Sequence, residues 1–194
     1  MLNYLLMVGS NAMCLGKIMK KQTDAPMRIV IFGNSGSGKS TLAQRIGKEF
    51  NIGHLDLDTV AWLPTETPER AAIIDSMCSV NAFIDTQYNW VIEGCYGDLL
   101  ENVLGQASLL IFTDLPVGAC IENARNRPWE PHKYSSEEAQ NANLSMLVDW
   151  ISQYYIRTDT FSYAAHNTLF NAYQGAKKRI YKNPADLALL KIEN

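Results

Sequence analysis

Gly33-Asn34-Ser35-Gly36-Ser37-Gly38-Lys39-Ser40 decides the fold. It follows a short β-branched run, Arg28-Ile29-Val30-Ile31-Phe32. It opens a stretch in which Leu42, Ala43, Ile46 and Phe50 recur at helical spacing. The octapeptide meets G-x-x-x-x-G-K-[ST] at every fixed position. Glycines let the backbone wrap closely and turn successive N–H groups onto phosphate oxygens, and the helix that follows offers its N-terminus to the anion. In this pattern Lys39 reaches the β- and γ-phosphates and the Ser40 hydroxyl holds Mg²⁺. The expected cradle runs from Gly33 through Ser40 to Thr41. An ordinary glycine-rich turn is the competing reading, and the strand before and helix after weigh against it. The motif predicts a site for a nucleoside triphosphate with Mg²⁺.

Outward from the loop, strand-like and helix-like stretches alternate. Residues 54–58 read as a second strand ending in two aspartates, and Thr67-Pro68 as the start of a helix reaching about Gln87. Trp90-Val91-Ile92-Glu93-Gly94 reads as a third strand and 107–115 as a fourth, followed by a helix over 117–127. Pro128 and Pro131 interrupt helix formation. A long amphipathic helix is expected over 136–157, another over 160–173, a last strand over 179–182, and a terminal helix from Asn183-Pro184. Alternation of this kind predicts a three-layer α/β/α fold: a parallel sheet of about five strands covered on both faces. Residues 128–158 are expected to be an insertion on that core, and 1–26 an extension before a single domain over 27–194.

Composition narrows the class. With 194 residues, 47% hydrophobic and 19% charged, the chain is long enough for a sizeable core. That balance excludes a wholly disordered or collagen-like chain. A net charge of −3 gives no reason to expect nucleic acid or an anionic membrane as partner. Cys14, Cys78, Cys95 and Cys120 are far apart and form no metal-binding spacing, so they read as free thiols in a reducing compartment. No stretch is long enough to span a membrane. A cytoplasmic protein, monomeric or homodimeric, is expected.

The layout resembles the small P-loop kinases of the adenylate kinase and shikimate kinase type, over about residues 27–190. The resemblance implies an ATP-dependent phosphotransferase with a helical lid. Asp56-x-Asp58 looks like the Asp-x-Asp of shikimate-type kinases, which implies that Asp56 supports Mg²⁺ through water and Asp58 orients or deprotonates the acceptor hydroxyl. Glu93 falls at the acidic position of the strand that reaches the acceptor pocket. Arg125 and Arg127 fall where these kinases place lid arginines, and Arg157 is similar to a second lid arginine. Phosphoryl transfer needs positioning and charge neutralisation above all, so such residues suit such places.

Each of these residues also has a plain reading. Asp56 and Asp58 are good turn residues, Glu93 suits a helix N-terminus, and Arg125, Arg127 and Arg157 suit solvated helix ends. His132 and Lys133 read equally as a polar loop or as ligand contacts. His54 and His166 read as structural, and Trp150, Tyr154 and Tyr155 as a packing stripe. The acceptor is constrained by what is missing. Between Lys48 and Arg125 the only basic residue is Arg70, whereas gripping an acceptor phosphate calls for several arginines. Neither the Asp-Gly-Phe-Pro-Arg signature of adenylate-type enzymes nor the glycine triplet of shikimate kinases follows the third strand. The expected acceptor carries a hydroxyl and little negative charge, with Arg70 and the flat walls of Trp62 and Tyr96 as candidate contacts. A P-loop ATPase or nucleotide-binding regulator with no small acceptor is the competing function.

Overall fold

In a computed structural model, residues 25–65, 68–131 and 134–183 are described. Strand β1 (Arg28–Gly33) runs through the middle of a five-stranded sheet. Its neighbours are β3 (Trp90–Gly94) and β4 (Leu109–Thr113), with β2 (Gly53–Asp56) and β5 (Ala176–Ile180) at the edges. Every pairing is parallel. The strands are almost continuously apolar because both faces are covered.

Alternation along each strand divides the core in two. Val30, Phe32, Trp90, Ile92, Leu110 and Phe112 face one side, against α2 (Ile73–Thr86), α3 (Gly97–Val103) and α7 (Tyr163–Ala172). Ile29, Ile31, Val91, Leu109 and Ile111 face the other, against Leu42, Ala43 and Ile46 of α1 (Lys39–Phe50). The three-layer α/β/α fold expected from the sequence is therefore the fold observed. A third cluster joins Leu115, Cys120 and Ala124 of the α4 region (α4, Val117–Arg125) to Ile151 of α6 (Leu144–Ser152).

Several boundaries differ from expectation. Asp58 is not at the end of a strand: β2 stops at Asp56, whose side chain accepts the Asp58 N–H (2.9 Å) and starts a 3₁₀ turn over Leu57–Thr59. Residues 68–72 are not helical. Arg70 forms an antiparallel bridge with Trp62, Leu63 N–H donates to Glu69 and Ala71 N–H to Ala61, so this backbone is already committed. Thr67 lies outside the described residues, and α2 begins at Ile73.

The long helix expected over 136–157 is two short ones, α5 (Glu137–Ala142) and α6. At the junction the Asn143 side chain donates to the Ala139 carbonyl (2.9 Å), in competition with the backbone. The chain then unwinds after Ser152 into tight turns, so Arg157 is not helical. Helix α4 ends at Arg125, because Arg127 precedes Pro128 and is pushed out of the helical region. The last strand is 176–180, three residues earlier than expected at its start. The extension over 1–24, His132, Lys133 and the expected terminal helix beyond Asn183 lie outside the described residues. No helix of the described residues is long and apolar enough to cross a membrane.

Candidate active site

The phosphate loop is held from behind. Gly36 and Gly38 adopt φ of 74° and 82°, in the left-handed region. A Cβ at Gly36 would lie 2.3 Å from the Cys120 carbonyl oxygen, so α4 packs directly on the loop backbone. Thr113 donates its hydroxyl to the Phe32 carbonyl (3.1 Å), so Ser37 is the donor in the 2.6 Å contact between Ser37 and Thr113. Asn34 donates to the Ile151 carbonyl (3.2 Å), which ties the loop to α6. Asn34 and Ser37 thus shape the loop from inside, as does Gly33, where a Cβ would lie 2.4 Å from the Thr113 carbonyl oxygen.

The loop's front faces a cavity of about 490 Å³, lined by Ser35, Gly36, Gly38, Lys39, Ser40 and Thr41. No side chain caps α1 at Gly38, and its first turn contains no acidic residue. Its N-terminal N–H groups are therefore open to an anion. Lys39 is only 8% exposed, and its Nζ donates to the Asn34 carbonyl (2.9 Å).

Three carboxylates and two arginines, Glu130 and Arg45 among them, also line the cavity. Asp58 and Glu93 line it with Arg127. Glu93 is the next-to-last residue of β3, is 1% exposed, and its Oε1 has no hydrogen-bond partner. Burial and then the Asp56 charge push its carboxyl up to about 8, and the Lys39 charge and a hydrogen bond with Ser40 pull the other way. Cys95 also lines the cavity, and burial pushes its thiol up to about 12, so it is no thiolate nucleophile. Arg127 bonds Glu130 (3.1 Å) and the Tyr134 hydroxyl (3.3 Å), and its guanidinium sits 5.3 Å from the Tyr134 ring.

Beside Asp58 stands an aromatic cluster outside this cavity. Tyr96 donates its hydroxyl to Asp58 Oδ1 (2.5 Å) and accepts from Trp62 Nε1 (2.7 Å). The Arg70 guanidinium sits 4.7 Å from the Tyr96 ring, 5.3 Å from Phe161 and 5.6 Å from Trp62. It pairs with Asp98 at 3.1 Å. Arg125 is exposed at the end of α4 and does not line the cavity. Arg157 lies 3.4 Å from the Trp150 ring centroid, 3.2 Å from the Asp159 carboxylate, and also outside the cavity. His166 is fully buried, with Nδ1 bonded to Tyr154 OH (2.7 Å) and Nε2 to the Cys95 carbonyl (2.9 Å).

Sequence reasoning missed Asn123, Asn126 and Asn183, which also line the cavity. Asn123 lies on α4 and Asn126 just after it, and neither carries a sequence signature of its own. Asn183 follows β5 and has no local signature.

No protein-family model matches the chain, and no curated protein matches it. Among the solved structures to which the chain is similar, three align across most of both chains. A shikimate kinase from Bacteroides thetaiotaomicron is 18% identical, with a TM-score of 0.48 over 84% of this chain and 91% of that one. An uncharacterized protein from Eubacterium ventriosum is 15% identical, with a TM-score of 0.43 over 84% and 93%. A deoxyadenosine kinase from M. mycoides with bound dATP is 12% identical, with a TM-score of 0.45 over 80% and 91%.

Proposed function

We propose that the chain is a small-molecule kinase that transfers the γ-phosphoryl group of Mg·ATP to an acceptor hydroxyl. One observation carries the reading: a phosphate loop and two carboxylates, Asp58 and Glu93, line the same cavity. A binding module needs the loop alone. Transfer to an acceptor needs groups opposite it that orient a hydroxyl.

The residues fit a nucleotide and its metal. The open N-terminus of α1 and the ammonium of Lys39 suit phosphate oxygens. Ser40 and the unpartnered oxygen of Glu93, with Asp56 behind, are the set that would hold Mg²⁺. Among the described residues no group of three His, Cys, Asp or Glu is placed to hold a metal by itself. Mg²⁺ does not need one, because it takes most of its ligands from phosphate and water. When bound it neutralises charge on the triphosphate.

The chain's own residues do the rest. Lys39 swings from the Asn34 carbonyl to the phosphates and offsets their charge. Asp58, held by the Tyr96 hydroxyl and backed by Asp56, accepts a hydrogen bond from the acceptor hydroxyl and aims its oxygen at the γ-phosphorus. The new P–O bond forms as the bond to the β-bridging oxygen breaks, its electron pair leaves with ADP, and the hydroxyl proton passes to Asp58. Arg127 lines the cavity and stabilises the transferring group; Arg125 and Arg157 join only if the 128–158 segment closes as a lid. The acceptor is neutral or nearly so, since Arg70 is already paired with Asp98 and enclosed by rings.

The test is ADP formation with Mg·ATP across shikimate, nucleosides, nucleoside monophosphates, sugars and amino-alcohols, with Lys39→Ala as blank. A neutral hydroxyl acceptor should raise turnover well above the water background. No stimulation by any acceptor would shift the reading to an ATPase or nucleotide-binding regulator.

A further inference from the structure

We infer that Trp62 is a positioning residue: through the Tyr96 hydroxyl, its indole N–H fixes the direction in which the Asp58 carboxylate faces the cavity. The inference rests on the kinase reading, in which Asp58 takes the acceptor proton. From sequence, Trp62 and Tyr96 are offered as flat walls for an acceptor. In the fold Tyr96 is 2% exposed, and neither ring lines the cavity that Asp58 lines.

The three polar groups form a chain with one possible direction. An indole N–H only donates, so Trp62 gives its hydrogen to the Tyr96 oxygen (2.7 Å). A carboxylate only accepts, so the single Tyr96 hydroxyl hydrogen goes to Asp58 Oδ1 (2.5 Å). Neither bond can be reversed. Each strengthens the other, because a hydroxyl that accepts a hydrogen bond becomes a better donor. Asp58 depends on a tether from outside its own segment. It stands in a 3₁₀ turn rather than on a strand, and its N–H is spent on Asp56 (2.9 Å).

The far end of the chain is anchored. Trp62 forms the antiparallel bridge with Arg70, flanked by Leu63 N–H to Glu69 and Ala71 N–H to Ala61. The Arg70 guanidinium, held by Asp98 (3.1 Å), lies against the rings of Trp62 and Tyr96. Phe161 meets the Tyr96 ring edge to face, with centroids 5.4 Å apart. The backbone pairing that delays α2 is thus the support from which Asp58 is aimed. A displacement of about 1 Å at a group that orients a nucleophile costs on the order of 100-fold in rate.

ADP formation from Mg·ATP tests the inference, with water and with each hydroxyl compound of the panel above as acceptor. Tyr96→Phe deletes one oxygen and keeps the ring. It should lower kcat about 10- to 100-fold and leave the KM for Mg·ATP unchanged. Trp62→Phe should lower kcat about 3- to 10-fold, the effect of one neutral hydrogen bond. In an Asp58→Asn background neither substitution should lower turnover further, whereas a merely structural role would add its own loss. In heteronuclear NMR of the full chain, the Trp62 indole N–H resonance should shift on Tyr96→Phe. Unchanged kcat in Tyr96→Phe and Trp62→Phe, with Asp58→Asn impaired, would overturn the positioning role and leave the kinase reading standing. An unshifted indole resonance in Tyr96→Phe would overturn the hydrogen-bond chain whatever the activity. Full turnover in Asp58→Asn would overturn the role of Asp58 and this inference with it, and no ADP with any acceptor would overturn both readings. The resonance and Tyr96→Phe decide the matter even where Trp62→Phe fails to fold.

Discussion

Lys39 and Asp58 stand on the same cavity and should fail differently. Lys39→Ala removes phosphate charge neutralisation, so nucleotide affinity and turnover should both fall, with binding read by calorimetry. Asp58→Asn keeps the shape and the contact to Tyr96 while removing the base, so turnover should drop about 10²- to 10⁴-fold with nucleotide affinity little changed. Glu93 adds a pH signature. Its carboxyl is raised from 4.5 to about 8 in the fold, so between those values the native state holds a proton that the unfolded state has lost. The stability it contributes is complete below 4.5 and is lost as pH rises through about 8. Denaturant midpoints of the free protein should fall between pH 6.5 and 8.5, and Glu93→Gln should flatten that slope. At this scale the phosphate loop was legible because its chemistry is written in consecutive residues. Glu93 was legible by its place near the end of a strand, and Asp58 by its spacing from Asp56 rather than by the strand expected to carry it. The asparagines of the cavity wall were not, because 60 residues separate Asn123 from Asn183 and only the fold brings them together.

Helix α4 and the phosphate loop behave as one element. Gly36→Ala puts a methyl group 2.3 Å from the Cys120 carbonyl oxygen at a φ of 74°. Backbone on both sides leaves nothing cheap to move, so a loss of about 1–3 kcal/mol or more is expected, read by thermal unfolding, together with weaker nucleotide binding. Helix α5 is six residues long and depends on its cap, in which Ser136 accepts the Ala139 N–H. Ser136→Ala should cost about 1 kcal/mol locally and raise amide exchange over 137–142 with little change in the sheet. The positions of the elements were legible from apolar periodicity. Their ends were less so, because side-chain contacts settle them: Asn143 onto Ala139 splits the helix expected over 136–157, and pairing of 61–63 with 69–71 delays α2. The apolar period continues across the Asn143 break, and periodicity alone does not show where a helix stops.

Across the whole molecule, His166 links the layers by joining α7 to Tyr154 on one side and the end of β3 on the other. Cys95 offers a carbonyl, so Nε2 carries the proton and Nδ1 accepts from Tyr154. Burial lowers the imidazole from 6.5 to about 4, and it stays neutral in the fold. The unfolded chain takes up a proton first on acidification, so this stability is present above pH 6.5 and is lost as pH falls toward 4, about 3 kcal/mol at most. The midpoint difference between the protein and His166→Gln should narrow over that range. A parallel sheet with two covered faces was legible from strand and helix alternation, but the strand order was not, since it depends on which crossovers pack. That order has a consequence in time. Hydrogen bonds beside β1 join residues 62 and 80 positions apart, Met27 to Asn89 and Arg28 to Ser108. The central strand leaves the ribosome before either of its sheet neighbours, and β3 is the earlier of the two to follow. The apolar edge of β1 must therefore wait, uncovered, through the synthesis of more than 60 residues. Nascent chains of this protein should bind a holdase chaperone most strongly before β3 emerges, and release it as β4 closes the other edge.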